Sequence, residues 1–237
     1  MKTYKMLLLA LLASVSVISA KAQTLDEIID KYVIALGGKD KLLALNTAVM
    51  EGVMDINGQK INVRISQANY KGQRIDITFG GMTGYIIQTK DSGWQYLPFQ
   101  GMQKAEAMPA AVIQEGVDGL DIQSPLLNYK EKGHTVELQG KDDVDGTECF
   151  KIRVVTKSGI EAIYYIDPAS YYIIKATTKS RASGKEVVQN QTFSNYKKMD
   201  NGYVFAFSAS GFGPGEITFT KIDVNVPLAD NIFRPSN

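Results

Sequence analysis

From Thr47 to the end of the chain, apolar and polar residues alternate in short runs separated by turn signals, and this constrains the fold more than any other feature. Ile61, Val63 and Ile65 oppose Asn62, Arg64 and Ser66, and Ile75, Ile77 and Phe79 oppose Arg74, Asp76 and Thr78. A period of two is that of a β-strand with one buried face. Asn57-Gly58, Asp91-Ser92-Gly93, Asp145-Gly146, Ser158-Gly159, Ser183-Gly184 and Asn201-Gly202 punctuate the runs. Such pairs favour tight turns, and tight turns join antiparallel neighbours. The spacing predicts about a dozen strands: 47–55, 60–68, 74–79, 85–90, 94–99, 135–139, 149–156, 161–167, 171–180, 187–197, 203–210 and 216–226.

Two regions depart from this period. Thr24 and Glu27 form a capping box, and Leu25, Ile28, Ile29, Tyr32, Val33 and Leu36 follow helical spacing. Gly37 and Gly38 stop that helix, and residues 39–45 form a short second one. Residues 100–132 interrupt the strands, with a helix predicted over 108–120 and another from Ser124-Pro125 through Lys132. The expected class is mainly antiparallel β with α (α+β): one large curved sheet, helices covering one face.

The first 22 residues stand apart. Lys2 and Lys5 precede an apolar run from Met6 to Ile18, too short for a comfortable span, and Ala20-Lys21-Ala22 has the small-x-small form of a signal peptidase site. Residues 1–22 read as a cleaved secretory leader and 23–237 as a single domain. Of 26 basic residues, three lie in the leader, leaving 23 against 25 acidic. That balance gives no footprint for nucleic acid. Cys149 is the one cysteine, so the exported chain must hold its fold by packing alone.

The candidate chemical motifs are weak. "ALGGKDKLLAL" follows a helix rather than a strand and lacks the lysine–hydroxyl pair of a phosphate loop, so it reads as a hinge. "DDVDGTE" lacks acids at the first and last positions of a calcium loop and reads as a hairpin turn. "GFGPG" is a wide loop between strands. His134 is the only histidine, which excludes zinc sites built on several histidines. It is expected at an exposed strand start. Cys149 is expected to be a packed side chain, and no nucleophile motif supports a triad or a Cys–His dyad. No cofactor or metal is indicated. The apolar positions Ile61, Val63, Ile65, Ile75, Ile77, Phe79, Tyr85, Ile87, Trp94 and Tyr96 form one candidate surface across four strands. It is either a filled sheet core or the wall of a ligand cavity, which periodicity cannot separate.

Several segments, in order, carry a resemblance: "TLDEIIDKYVIALGGKDKLLAL", "AVMEGVMD", "NYKGQRIDITF", "KDSGWQYLPF", "YYIDPASYYIIK" and "VNVPLADNIFRP". Together they resemble the outer-membrane lipoprotein-sorting protein family, the LolA-like periplasmic carriers, over nearly the whole chain after the leader. The resemblance implies an incomplete, strongly curved β-barrel with helices as a lid on the concave face. It implies a non-catalytic carrier of lipoprotein acyl chains or other lipids. Val63, Ile65, Ile75, Ile77, Phe79, Ile87, Trp94 and Tyr96 would line its cavity, and Arg64 or Arg74 would match the family's lid-latching arginine. Expected partners are the lipid and inner- and outer-membrane donor and acceptor proteins, and the carrier is expected to be a monomer. Two other readings stand beside it: an envelope regulatory module on the same fold that binds a protein, and a hydrolase with an unrecognised carboxylate site.

Overall fold

The computed structural model describes residues 23–182 and 185–236; the proposed leader lies outside them. Thr24 caps helix α1 (Leu25–Ala35) with the full capping box, its hydroxyl accepting from the Glu27 amide and its own amide donating to the Glu27 carboxylate. Gly37 and Gly38, at φ 118° and 96°, turn the chain into α2 (Lys39–Leu43). The hinge is also a close approach: a Cβ on Gly37 would stand 2.7 Å from the Gly202 carbonyl.

Among the described residues, thirteen strands follow. In chain order they are β1 (Thr47–Ile56), β2 (Gln59–Ala68), β3 (Gly72–Phe79), β4 (Met82–Thr89), β5 (Gly93–Tyr96) and β6 (Glu106–Ala107), then β7 (Thr135–Val144), β8 (Thr147–Val155), β9 (Glu161–Ile166), β10 (Ile173–Ala182), β11 (Lys185–Lys198), β12 (Val204–Ser210) and β13 (Ile217–Val224). They form one antiparallel sheet in the order β6-β5-β4-β3-β2-β1-β13-β12-β11-β10-β9-β8-β7. Each half is a meander, and the first and last strands pair to join them. The sheet does not close: β6 and β7 are its two edges. It is an incomplete curved barrel.

The connection from β6 to β7 is the topological key. These strands are consecutive in sequence yet lie at opposite edges, so residues 108–134 must travel from one edge to the other. They do so through helix α3 (Ala110–Gly116), a 3₁₀ turn (Val117–Leu120) and a run of turns to Gly133. Helix α3 approaches both β4 and β10, on opposite walls. The second helix expected here does not form. Ser124 and Asn128 have φ of 93° and 52°, values an α-helix cannot contain. Trp94–Phe99 is also shorter as a strand than expected, because Pro98 opens a 3₁₀ turn.

The register defines the two faces. Ile152, Tyr164, Ala176 and Gln191 are successive cross-strand partners on the face that receives α1. The same face continues through Phe193, Ala209, Ile217, Met54 and Ile61. It therefore includes Val63 and Ile77, which pair one strand on. Ile28, Ile29, Tyr32, Val33 and Leu42 from the helices, Leu126 and Leu127 from the crossing segment, and Phe150, Ile152, Val154 and Ile166 from the sheet make one core on this inner face. Burying such side chains stabilises each by about 1.5–3 kcal/mol.

Candidate functional site

The inner face is covered unevenly. Over β8–β10 it is sealed by α1: Ile28, Ile152 and Ile166 are fully buried. Over β1–β3 and β12–β13 a second cluster centres on Met54, Val63, Ala209, Ile217, Phe219 and Ile222, with Ile61, Ile65, Ile75, Phe193 and Phe207 packed against it. Here Ile61, Ile65, Ile75, Ile77 and Phe79 remain half-buried. The result is a continuous apolar wall, closed at one end and partly open at the other. Phe79 packs edge-on to Phe99, and Phe193 to the exposed Phe212.

The crossing segment is fixed over this interior by polar contacts on both sides. Gln88 donates to the Ile113 carbonyl at 2.9 Å, and Gly93 and Gly116 leave room for α3 where a Cβ would strike Met108 or Gln88. On the other wall Asp118 accepts from the Ser158 hydroxyl. Between them, Gln123 donates to the carbonyls of Leu43 and Leu45, and Tyr32 to Ser124 at 2.9 Å. The Lys132 ammonium contacts Asp121 at 2.5 Å and the Ser124 carbonyl at 2.7 Å. Burial pushes the Tyr32 phenol up to about 12, and raises those of Tyr164 and Tyr196. These are hydroxyls held neutral in an apolar setting.

The ten-residue surface expected from the sequence divides between the two faces. Val63, Ile65, Ile75, Ile77 and Phe79 share the inner wall with Ile61. Ile77 pairs with Gly84 and Ile75 with Ile86, so Tyr85 and Ile87 point the other way, with Trp94 and Tyr96 beside them. The placement of Ile87, Trp94 and Tyr96 in the cavity is thus corrected: they belong to the outer face. The physical reason is the two-residue turn at Gly80-Gly81, which pairs odd residues of β3 with even residues of β4. Sequence reasoning also missed the inner-wall residues Met54, Ala209, Ile217 and Phe219, which only the β1–β13 pairing brings in.

The latch assignment is corrected as well. Arg64 contacts Glu51 at 2.6 Å, with both side chains exposed on the outer face. Arg74 contacts Asp76 at 2.8 Å, stacks over Tyr85 and donates to the carbonyls of Ile232 and Arg234. Both are directed away from the crossing segment because they alternate with the inner-wall residues.

The remaining motifs behave as structural elements. Gly146 donates its amide to the Asp143 carboxylate in the β7–β8 turn. Residues 211–215 join β12 and β13. His134 is half-buried rather than exposed, its Nδ1 accepting from the Lys157 amide, and burial lowers its pKa. Cys149 is fully buried with its thiol pushed up to about 11, the opposite of an activated nucleophile. Among the described residues, no three of His, Cys, Asp and Glu converge as a metal site, and no helix is long and apolar enough to cross a membrane. A surface depression of about 480 Å³ lies between α1 and residues 126–131, and another of about 440 Å³ beside Asn201 and Asp223; neither is lined by β2–β5.

No protein-family model matches the sequence, and no curated protein matches it significantly. Solved structures do match. A DUF1329 family protein from Desulfovibrio piger superposes with a TM-score of 0.54 at 14% identity, over 90% of this chain and 98% of that one. The LolA superfamily protein NE2245 from Nitrosomonas europaea gives 0.54 at 12% identity, with the same coverage. A domain described as an outer membrane lipoprotein-sorting protein, from Vibrio parahaemolyticus, gives 0.50 at 16%, over 88% of this chain and 95% of that one. At such identities the likeness is one of architecture: the chain has the open, curved half-barrel fold of LolA superfamily proteins.

Proposed function

We propose that this protein is a non-catalytic periplasmic carrier that holds an acyl chain of a lipid or lipoprotein against its inner wall. One observation carries the reading: the apolar inner face is sealed by α1 over β8–β10 but left half-exposed at Ile61, Ile65, Ile75, Ile77 and Phe79. An ordinary core would have no reason to stop halfway along a continuous apolar face. Burying an acyl chain contributes about 0.8 kcal/mol per methylene, so about ten methylenes on this wall give on the order of 8 kcal/mol before ordering costs. Ordering costs reduce that figure, so the binding is weak and reversible, suited to taking up and releasing cargo. Residues 1–22 would direct export and be removed, leaving 23–237 as one unit, a monomer passing cargo between donor and acceptor proteins at the two membranes. The architecture shared with a domain described as lipoprotein-sorting supports this reading.

The test is a fluorescent fatty-acyl probe titrated into the protein and into Ile77→Asp. Ile77 is half-buried on the open part of the wall, so the variant should fold and lose probe uptake at least tenfold. Equal uptake by a folded Ile77→Asp protein would remove the wall from the binding site.

A further inference from the structure

Over β1–β5 the inner wall carries no charge, and its polar positions repeat one residue type. Alternation and register turn Gln59, Gln67, Gln73, Gln88 and Gln95 to the same face as Val63 and Ile77. Every polar side chain at an inward position of these strands is a glutamine, whereas the outward positions carry Glu51, Asp55, Lys60, Arg64, Arg74 and Asp76. Three of the glutamines form one row, Gln67 opposite Gln73 and Gln73 opposite Gln88. The crossing segment meets the sheet beside this row. The Gln88 amide donates to the Ile113 carbonyl at 2.9 Å, and just past Gln67 the Tyr70 amide donates to the Leu120 carbonyl at 2.9 Å. Gln67 and Gln73 are half-buried. Among the described residues their side-chain amides bond to no other group, and their polar atoms are not sealed off. Away from the row the wall is apolar, Ile65 opposite Ile75 and Val63 opposite Ile77. From Gln67 to Ile61 it runs roughly 20 Å at about 3.3 Å per residue.

We infer that Gln67 and Gln73 are the polar end of the acyl site, and that they select a chain joined through an ester or amide carbonyl over one ending in a free carboxylate. This rests on the carrier reading and names the chemistry of its cargo. A primary amide is uncharged and offers two N–H donors and one acceptor. An ester or amide carbonyl takes a hydrogen bond from such a donor and needs no countercharge. A carboxylate that gives up water does need one, and without it the cost is far greater than for a neutral group. The arginines of these strands cannot supply it: Arg64 and Arg74 lie on the opposite face and engage Glu51 and Asp76. Nor is the row spent on holding the crossing segment, since Gln88 alone of the three bonds to it. A neutral donor pair at the head of a neutral apolar wall fits an acyl group whose first carbons carry a carbonyl, whether from a glycerolipid or from an acylated peptide.

The experiment displaces the fluorescent fatty-acyl probe from the full mature chain at neutral pH with three ligands of one chain length: 1-lauroylglycerol, an N-lauroyl dipeptide amide and laurate. The wild type should prefer the first two to laurate, and the tighter of them names the source of the acyl group. Replacing both residues, Gln67→Leu with Gln73→Leu, makes the wall more apolar, which by itself would tighten the binding of any acyl chain. If the amides read the carbonyl, this variant should instead bind the ester and the amide about tenfold more weakly, the worth of one net hydrogen bond. Gln73→Lys should reverse the order of preference in favour of laurate, a change that a purely structural role would not produce. Equal displacement of the wild-type probe by all three ligands would overturn the inference while leaving the carrier reading intact. So would ester and amide binding that is unchanged or tighter in the folded double variant. Failure of the wild type to take up the probe or any ligand would overturn the carrier reading, and this inference with it.

Discussion

Replacing Lys132 by Met should cost about 3–5 kcal/mol, because it strands a buried charge. The Asp121 and Lys132 side chains are 5% and 13% exposed and in contact at 2.5 Å. Asp121 also accepts from the Gln123 amide, and Lys132 also donates to the Ser124 carbonyl. Without the ammonium, the carboxylate keeps one backbone donor and little water. For a chain of this size each kcal/mol moves the melting temperature by about 2–4 °C, so Lys132→Met should lower it by about 6–20 °C. Removing both charges, as Asp121→Leu with Lys132→Met, leaves no buried ion; the unpaired Gln123 amide should then cost about 1–3 kcal/mol. The double variant should thus be more stable than Lys132→Met alone. Urea titrations of the four proteins of this cycle give the coupling. A loss below about 1 kcal/mol in Lys132→Met, or single-variant losses that simply add, would show that the pair does not fasten the crossing segment.

Three further outcomes follow from the same geometry. The Tyr32 phenol is raised by burial from about 10 to about 12; its contribution is present in full below pH 10 and is lost as pH rises towards 12, about 2.7 kcal/mol in all. Stability measured between pH 9 and 12 should therefore fall less steeply in Tyr32→Phe than in the wild type. Cys149, fully buried with a raised thiol pKa, should react with a disulfide reagent only after unfolding, and stoichiometric labelling of the native protein would contradict its placement. Thr24→Ala removes the capping box of α1 and should cost about 0.5–2 kcal/mol, read as a shift in urea midpoint.

The sheet was legible in the sequence because its turns are local and chemically marked. Asn57-Gly58 and Asp145-Gly146 sit in tight turns, with Asn57 and Asp145 at positive φ as such turns demand. Helix α1 was legible from Thr24 and Glu27 together with its apolar stripe. The face assignment was legible only strand by strand. Period two separates Ile86 from Ile87 but cannot say which joins Ile77; the loop length decides that, and Gly80-Gly81 places Ile86 inside. Both faces of β4 are apolar because the outer one lies under the C-terminal segment, so hydropathy offered no warning. Val63, Ile75 and Ile77 fell on one face because β2 and β3 pair odd with odd. The remainder of the wall, Met54 with Ile217 and Phe219, depends on β1 pairing with β13, a contact between the two ends of the domain that no local signal encodes. Arg74, like Arg64, was a latch candidate only through the family resemblance, which implies an arginine on an early strand. Alternation put it on the opposite side, over Tyr85.

The carrier proposal is tested most directly by native mass spectrometry of the mature protein purified from a bacterial periplasm, followed by organic extraction. A carrier should show a mass excess that resolves into a defined lipid or acylated peptide and is absent from Ile77→Asp. A clean protein mass, unchanged after incubation with lipid, would contradict it and mean that the inner wall is closed core.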